Sequence, residues 1–298
     1  MRNGVLLIDK PAGVTSAGVV ARVKRALKAS RVGHAGTLDP DATGLLVILI
    51  NGATKVASYA ADGDKIYSGT IKLGVRTDTD DTSGRVLSSS EDLPAFGEVE
   101  RAAQQFVGAI QQVPPKVSAI KVGGKRAHRL QRRGAEFELE ARTVTVRRFL
   151  LSPAEEGLIR YEIECSPGTY VRSLARDLGE ALGCGGAAAS IRRERSAHLK
   201  VADAIQLEQV SWELVRDWSV LLPETPRIEL PATLAAALHN GQRTALGEAA
   251  RLPQLSERLK HPGIVMYSTL GDSETLGLLR VSEDGKLQFE LNLGRVSP

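Results

Sequence analysis

The feature that most constrains the fold is a run of six apolar residues at positions 45–50, directly after a polar, glycine-rich segment at positions 33–44. This run is the longest apolar stretch in the chain, whereas a membrane-spanning helix needs about 20 such residues. A short apolar run bounded by turn residues is typical of a buried β-strand. We therefore predict a strand at 45–50 and, before it, a loop whose glycines let the backbone approach a ligand.

Helical and strand patterns are mixed along the first three quarters of the chain. Apolar residues at helical spacing predict helices over residues 19–27, 99–110 and 171–182. Thr15 and Ser16 are candidate N-caps for the first of these helices. Apolar runs and alternation predict further strands at residues 5–8, 67–75, 144–150 and 158–165. Because the order shows no regular βαβ rhythm, it favours the α+β class over a doubly wound parallel fold.

A change in composition marks a domain boundary near residue 228. Pro223, Pro226 and Pro231 lie within nine residues, and such a cluster interrupts regular structure. After a short helical segment, the chain continues as short apolar runs separated by Gly, Pro and Asp turns, which is typical of a β-rich unit. We divide the chain into residues 1–228 and a small C-terminal domain, residues 229–298.

Composition excludes several classes of protein. Two scattered cysteines, Cys165 and Cys184, in 298 residues make neither a disulfide framework nor a metal cage. The apolar stretch near the N-terminus is too short for a signal peptide, so we expect a cytoplasmic protein. The net charge is +4, and its distribution is therefore more informative than its sum.

The segment at 33–44 has several interpretations on its own residues. It fits a simple turn, because Asp-Pro is common in turns. Residues 39–43 also match Asp-x-Asp-x-Thr, the nucleophile motif of haloacid-dehalogenase-like phosphatases. In that family a buried strand precedes the first aspartate, whereas here the strand follows it, so a phosphohydrolase is disfavoured; magnesium dependence would reveal one. The acidic residues at 78–81 lack the spacing of a calcium loop, and we predict no metal site.

Six blocks of sequence, in the same order, resemble the motifs of the TruB family of tRNA pseudouridine synthases. With the preceding Leu7 and Ile8, they are spread over residues 7–193, a stretch of about two thirds of the chain. The blocks are Asp-Lys-Pro-Ala-Gly-Val-Thr-Ser at 9–16, His-Ala-Gly-Thr-Leu-Asp-Pro-Asp-Ala-Thr-Gly-Leu-Leu at 34–46, Thr-Asp-Thr-Asp-Asp at 77–81, Pro-Pro-Lys-Val-Ser-Ala-Ile-Lys at 114–121, Gly-Thr-Tyr-Val-Arg-Ser-Leu at 168–174 and Ile-Arg-Arg at 191–193. The resemblance implies a pseudouridine synthase catalytic domain with a central mixed or antiparallel sheet.

The resemblance also implies an activity and its central residue. Asp39 matches the aspartate that the family needs for chemistry, and Arg172 matches the arginine that pairs with it and would fix its orientation. The implied reaction isomerises uridine 55 in the TΨC loop of tRNA to pseudouridine, with base flipping and without a cofactor or metal. An ionised aspartate can attack the sugar or base, or remove the C2′ proton, and the sequence leaves these routes open.

Five further residues match substrate-binding positions of the family. Tyr67 matches the tyrosine that stacks on the target base. Tyr170 and Ile191 match apolar residues that shape the uracil pocket, although the family more often has leucine at the second position. Lys10 and His34 match positions near the pocket and the flipped nucleotides. Alone, each of these residues would be read as ordinary surface or strand structure.

A basic segment within residues 114–135 is the expected RNA-binding arm. Residues 116–134 contain seven basic side chains and no acidic one, with Gly123-Gly124 as a bend. Like charges at this density repel one another unless an anionic partner is present, so we expect contacts with RNA phosphates. The seven residues are Lys116, Lys121, Lys125, Arg126, Arg129, Arg132 and Arg133.

The expected partner is the T-arm of tRNA, with no membrane and no protein partner implied, and we expect a monomer. The C-terminal residues, with Asn240-Gly241-Gln242 and the strand at 276–280, resemble the small PUA-type β-barrel that follows the catalytic domain in these enzymes. Such a barrel would be an auxiliary RNA-binding domain. The alternative interpretation of the whole chain is a protein that binds tRNA or helps it fold without catalysis.

Overall fold

The computed structural model describes residues 2–118, 121–122, 125–126, 137–155, 157–256, 258–271 and 275–293. The strands in these ranges are β1 (Gly4–Lys10), β2 (Val32–Ala35), β3 (Thr43–Ile50), β4 (Lys65–Leu73), β5 (Val75–Thr77), β6 (Val86–Ser89), β7 (Gly108–Gln112), β8 (Lys121–Val122), β9 (Lys125–Arg126), β10 (Arg142–Pro153), β11 (Leu158–Cys165), β12 (Gly186–Ser196), β13 (Leu199–Lys200), β14 (Ile205–Gln206), β15 (Arg227–Leu230), β16 (Gly263–Thr269), β17 (Thr275–Val281) and β18 (Leu287–Asn292). The α-helices are α1 (Ser16–Leu27), α2 (Ala57–Ala61), α3 (Phe96–Gln104), α4 (Val171–Ala181), α5 (Ala232–His239), α6 (Arg243–Ala249) and α7 (Pro253–Ser256). Within the same ranges, no helix has the length and hydrophobicity needed to span a membrane.

A large mixed sheet forms the centre of the fold. Its hydrogen-bonded order is β14-β1-β3-β12-β4-β11-β10-β7, with β2 added beside β3 and β13 beside β12. The β1–β14 and β12–β3 pairs are parallel and the other pairs are antiparallel. The predicted α+β class with a central mixed sheet is therefore confirmed.

The apolar run at 45–50 is the buried core of β3, as predicted, and every residue in it is fully buried. Successive side chains of a strand point to opposite faces, and here both faces are covered. Leu46, Ile48 and Ile50 pack against α1. Leu45 and Val47 pack on the other face, in a cluster that includes Trp218.

The other half of the large sheet carries a second apolar region. Residues of α3 and α4, including Val99 and Leu174, pack there against β4, β10 and β11. Tyr67 on β4 and Ile191 on β12 contact both this cluster and the one beneath α1. Two residues predicted to bind substrate therefore lie at the junction of the two apolar regions.

The C-terminal part of the chain forms a separate, smaller sheet with the order β15-β16-β17-β18. Helices α5 and α6 cover it, and their apolar residues share one cluster with those of β16 and β17. Met266 and Leu278 face the large sheet and join the cluster around Trp218. The Trp218 indole also donates a hydrogen bond of 2.9 Å to the carbonyl of Thr275, which ties the two sheets together.

One predicted helix is too long. Periodicity predicted a helix over 99–110, but α3 ends at Gln104 and β7 begins at Gly108. Ile110 lies opposite Val144 of β10. Pairing with a strand more than 30 residues away determines this conformation, and local periodicity does not register such a contact.

Candidate active site

Asp39 lies in the loop that joins β2 to β3, residues 36–42, here called the Asp39 loop. Thr15 accepts a hydrogen bond of 2.9 Å from the Gly18 amide and so caps α1, as predicted. The next residue, Ser16, has a different task. Its buried hydroxyl accepts from the Leu38 amide and donates to the Leu38 carbonyl, both at 2.9 Å. The start of α1 therefore fixes the residue immediately before Asp39.

Lys10 supports the Asp39 loop from behind. The residue is fully buried at the end of β1. Its ammonium donates to the carbonyls of Pro11 at 2.8 Å, Val14 at 2.7 Å and Pro40 at 2.8 Å. Burial lowers the pKa of Lys10 to about 8, against the opposing effect of the Asp41 and Asp39 charges. All three donors of the ammonium are thus occupied by backbone carbonyls.

Arg172 holds the Asp39 carboxylate from the first turn of α4. Its Nε lies 2.9 Å from one carboxylate oxygen, and its Nη2 donates to the other at 3.1 Å. The Arg172 side chain is 4% exposed, whereas that of Asp39 is 42% exposed. Paired contacts of this kind fix a carboxylate in direction as well as in place.

The guanidinium of Arg172 is itself held by residues from two other segments. It donates to the carbonyls of Thr79 at 2.8 Å and Val117 at 2.9 Å. Asp81 contributes a second carboxylate, 3.5 Å from Nη1 of the arginine. The blocks at 77–81 and 114–121, which are distant from Asp39 in sequence, therefore converge on the arginine that orients it.

Asp80 anchors the same segment to α4. Its carboxylate accepts from Arg176 at 2.8 Å. Burial raises the pKa of Asp80, and the charge of Arg176 opposes that shift. Successive aspartates of the Thr-Asp-Thr-Asp-Asp block therefore face different arginines of one helix, one turn apart.

A cavity of about 360 Å³ opens beside the Asp39 carboxylate. Five of the residues predicted from the sequence line it, namely Asp39, Tyr67, Tyr170, Arg172 and Ile191. The cavity combines aromatic and apolar walls with a few convergent polar groups, which is typical of a site for a small planar ligand. Its volume lies toward the lower end of the range of small-molecule sites.

The two tyrosines are positioned by different means. Tyr67 lies on β4, and burial raises the pKa of its hydroxyl. Tyr170 is the N-cap residue of α4. The buried amide of Gln112 accepts from the Tyr170 amide at 2.8 Å and donates to the Tyr170 carbonyl at 3.1 Å. The guanidinium of Arg142 stacks on the Tyr170 ring, 4.8 Å from its centre.

Two buried basic residues, Lys65 and Arg193, form the floor of the cavity. The Lys65 ammonium donates to the carbonyls of Ala61 and Gly63. Burial, followed by the nearby charge of Arg193, lowers the pKa of Lys65. The same two causes lower the pKa of His34.

The remaining predicted residues lie away from the cavity lining or outside the described residues. Neither Lys10 nor His34 is among the residues that line the cavity. Lys116 is exposed at the start of the arm, and β8 and β9 form a short hairpin whose backbone includes Lys121, Lys125 and Arg126. Arg129, Arg132 and Arg133 lie outside the described residues. In the part of the chain that is described, no cluster of His, Cys, Asp or Glu could hold a metal ion.

Sequence reasoning did not assign three residues that shape this site. Gln112 carried no signal, because one glutamine in a strand is unremarkable in a sequence. Lys65 carried none for the same reason. Arg193, in the Ile-Arg-Arg block, was expected from its charge to extend the surface that contacts RNA phosphates; this was wrong, because the residue is 2% exposed and lines the cavity.

Comparison with known proteins agrees with this geometry. The family described as "TruB family pseudouridylate synthase (N terminal domain)" matches residues 24–171. The family described as "tRNA pseudouridylate synthase B C-terminal domain" matches residues 172–220. The mixed sheet, the Asp39–Arg172 pair and these two matches define the class: the protein is a pseudouridylate synthase.

Curated relatives give the particular family. Proteins named tRNA pseudouridine synthase B are 45% identical to this chain in Cereibacter sphaeroides, covering 89% of this chain and 85% of the relative. In Mycobacterium tuberculosis the identity is 45%, covering 80% and 83%. In Synechococcus sp. it is 49%, covering 69% of each chain. The chain belongs to the TruB family of pseudouridylate synthases.

Solved structures share the fold at lower identity. A chain of the structure described as "Crystal Structure of a Cbf5-Nop10-Gar1 Complex" superposes with a TM-score of 0.69 and 24% identity, covering 98% of this chain and 85% of that one. A chain of "Structure of H/ACA RNP bound to a substrate RNA containing 2'-deoxyuridine" gives 0.66 and 21%, covering 98% and 85%. At these identities the likeness concerns the fold alone.

Proposed function

We propose that this protein isomerises uridine 55 in the TΨC loop of tRNA to pseudouridine, with Asp39 as the catalytic residue and without a cofactor. The observation that carries the proposal is the half-exposed Asp39 carboxylate, held by the buried Arg172 at the mouth of a cavity of about 360 Å³. The relatives named tRNA pseudouridine synthase B support the choice of tRNA. The position within the T-arm is part of the proposal.

In this reaction one bond between the uracil base and the ribose is exchanged for another. The N1–C1′ bond breaks, the base turns, and a C5–C1′ bond forms. The proton leaves C5 and N1 gains one, so substrate and product are isomers and no oxidant or energy source is consumed. Ionised Asp39 could attack the sugar or the base, or remove the C2′ proton, and in each route the direction of its carboxylate toward the bound nucleotide matters. Arg172 fixes that direction.

The walls of the cavity suit the base that is moved. We assign Tyr67 to stacking on the uracil and Tyr170 and Ile191 to its remaining faces, since all three line the cavity. His34 we assign to the neighbouring flipped nucleotides. Lys10 would serve substrate binding through the Asp39 loop, because its ammonium is bound to Pro40 and two other carbonyls.

Uridine must leave its stack to reach the cavity, at a cost of a few kcal/mol. We propose that contacts with RNA phosphates from the basic arm, residues 114–135, offset this cost. The division into residues 1–228 and 229–298, and the C-terminal unit as a PUA-like RNA-binding barrel, are part of the same proposal. So are action in the cytoplasm and a monomeric enzyme.

The test uses a tRNA transcript with tritium at uridine C5, in RNA folding buffer without added cofactor. Formation of the C5–C1′ bond releases that tritium to water. We expect release of about one label per tRNA by the wild-type protein and none by Asp39→Asn, which keeps the shape of the side chain but not its charge. Tight, salt-sensitive tRNA binding without release would instead support the tRNA-binding or folding protein and overturn the synthase proposal for this substrate.

A further inference from the structure

Arg193 occupies a position that connects the main parts of the active site. It lies on β12, opposite Tyr67 on β4 and beside Gly44 at the start of β3. Its side chain is 2% exposed and lines the cavity. Residues directly opposite each other on neighbouring strands have side chains on the same face and in contact range. The arginine therefore lies beneath the cavity, between the Asp39 loop and Tyr67.

The side chain of Arg193 holds the backbone on both sides of Asp39, at the first residue of the Asp39 loop and within β3. Its Nη2 donates to the Gly36 carbonyl at 3.0 Å, and its Nε donates to the Leu45 carbonyl at 2.8 Å. A Cβ atom added at Gly36 would lie 3.3 Å from Nη1, so the loop packs directly on the guanidinium. One planar group with a fixed fork of donors thus sets the separation between Gly36 and Leu45, the two residues that flank Asp39 on either side.

The same guanidinium acts on Tyr67. Burial raises the pKa of Tyr67, while the nearby charge of Arg193 acts in the opposite direction. The two residues face each other across β12 and β4, and both line the cavity. The position of the Tyr67 ring beside the ligand therefore depends on the side chain next to it, which is Arg193.

The charge of Arg193 is not neutralised by a carboxylate. Its neighbours on β12 form ion pairs, Arg192 with Asp9 and Arg195 with Glu164. Among the residues that the structure describes, Arg193 forms no such pair, and its hydrogen bonds go to the carbonyl oxygens of Gly36 and Leu45. A buried charge without a counterion is costly, so an ion-paired or apolar residue would be the more stable choice here. Such an arrangement is typical of a functional constraint.

We propose that Arg193 is a positioning residue for the isomerisation, one that fixes the backbone on both sides of Asp39 and holds Tyr67 in place beside the cavity. This inference rests on the proposed function. Arg193 acts through Tyr67 and the loop, and is distinct from Arg172, which contacts the Asp39 carboxylate itself.

The kinetic test is a double-mutant cycle with Arg193→Lys and Tyr67→Phe. Tritium release is measured in single turnover with saturating enzyme, and the Kd for tRNA is measured separately. We expect Arg193→Lys to slow the wild-type reaction by about 100-fold with little change in Kd, because small misplacements of catalytic groups cost that much. In the Tyr67→Phe background the same substitution should lose roughly tenfold less, because the hydroxyl that the Arg193 charge acts on is already absent. Equal losses in the two backgrounds, or no loss, would overturn the proposal.

A matched control variant and an NMR signal from Tyr67 keep the result interpretable if a variant is unstable or slow. Arg148→Lys is the matched control, because Arg148 lies in the same large sheet in a half-exposed pair with Glu162. With tyrosine labelled at ¹³Cζ, the Tyr67 signal is identified by its loss in Tyr67→Phe. We expect Arg193→Lys to shift that signal and Arg148→Lys to leave it in place, and an unmoved signal in Arg193→Lys would refute the effect of Arg193 on Tyr67.

The NMR readout also separates the two proposals. If the wild-type protein releases no tritium while the Tyr67 signal shifts as expected, the proposed function fails and the Arg193–Tyr67 contact stands, but its assignment to the isomerisation falls. If the wild-type protein releases tritium and the cycle shows no coupling, the function stands and the positioning role is wrong.

Discussion

The Arg172 guanidinium and the Asp39 carboxylate form a pair of unequal exposure, 4% against 42% of the side chain. The protein encloses the positive partner with the carbonyls of Thr79 and Val117 and leaves the negative partner open to the cavity. The cost of burying the arginine is offset by its hydrogen bonds, and the carboxylate keeps its access to a ligand. Such a pair presents a carboxylate for chemistry rather than adding to the stability of a core.

Replacement of Arg172 by lysine keeps the positive charge, but we expect it to lower the activity strongly. A lysine ammonium cannot make the paired contact with both carboxylate oxygens and also reach Thr79 and Val117. We expect the rate of tritium release to fall by about 100-fold, since the carboxylate loses its fixed direction. Two carbonyls would lose a donor, so the free energy of unfolding should fall by about 1–3 kcal/mol. Arg85→Lys is the control, because Arg85 is 80% exposed and pairs with Asp78 in the same segment; a comparable loss there would count against this account.

The neighbouring residues Thr15 and Ser16 offer a matched pair of hydroxyl deletions. The Thr15 hydroxyl accepts the capping hydrogen bond of α1, whereas the Ser16 hydroxyl makes two hydrogen bonds to Leu38. Thr15→Ala should lower stability by about 1 kcal/mol without changing the rate per folded molecule. Ser16→Ala should slow tritium release by about tenfold or more, because the backbone of Leu38, the residue before Asp39, loses both of its hydrogen bonds with the Ser16 hydroxyl. Denaturant unfolding and single-turnover kinetics measure the two effects, and equal rates in the two variants would contradict the proposed division.

Lys10 gives the site a dependence on pH. Its pKa is lowered to about 8 by burial. Above that pH the neutral amine has two N–H donors for the carbonyls of Pro11, Val14 and Pro40, so the Asp39 loop loses a contact. We expect the rate of tritium release to decline as the pH rises past about 8. Lys10→Arg should remove this decline, whatever its rate at lower pH, because arginine stays protonated.

The effect of Lys10 on stability should have the opposite sign. Because the pKa in the folded protein is lower than in the unfolded chain, the unfolded chain binds the proton more tightly. The buried charge therefore costs stability below pH 8, and this cost is relieved as the pH rises from about 8 to the usual lysine value. The free energy of unfolding, measured for wild type and Lys10→Met from pH 7 to pH 10, should show a difference that moves in favour of the wild type. If the difference in free energy of unfolding between the two proteins stayed constant over this pH range, the pKa of Lys10 would not be lowered as described here.

Much of the fold followed from patterns that are local in the sequence. The buried strand at 45–50, the cap at Thr15 and the helix after Gly168 depend on neighbouring residues, and the structure has all three. The extent of α3 was wrong because β7 is determined by its pairing with β10. Local patterns predict an element well when neighbouring residues alone determine its conformation. They predict it poorly when pairing with a strand that is distant in sequence determines it.

The candidate site shows the same division. Asp39, Tyr67, Tyr170 and Arg172 were found through motif resemblance, and the structure brings all four to one cavity. The contacts behind them were not predictable, because they depend on the register between strands. Arg193 faces the cavity since β12 and β4 pair it with Tyr67. A shift of one residue would turn it to the opposite face of the sheet.

The last prediction concerns Gly44, where the Asp39 loop enters β3. Its φ of +96° is unfavourable for residues with a side chain, and a Cβ there would lie 2.3 Å from the carbonyl oxygen of Arg193. Gly13 has a φ of +75° and open space around it, so Gly13→Ala should pay only the conformational cost, about 1–2 kcal/mol. Gly44→Ala should lose about 2–5 kcal/mol, because the steric clash adds to that cost.

The clash at Gly44 should also reach the chemistry, because β12 must move away from β3 to relieve it. That movement would carry Arg193 away from the Gly36 and Leu45 carbonyls and from Tyr67. We expect the folded fraction of Gly44→Ala to release tritium at least tenfold more slowly than Gly13→Ala, with rates corrected for the fraction folded. If the two variants lost equal stability and kept equal rates, the close approach of Gly44 to Arg193 would have no part in shaping the active site.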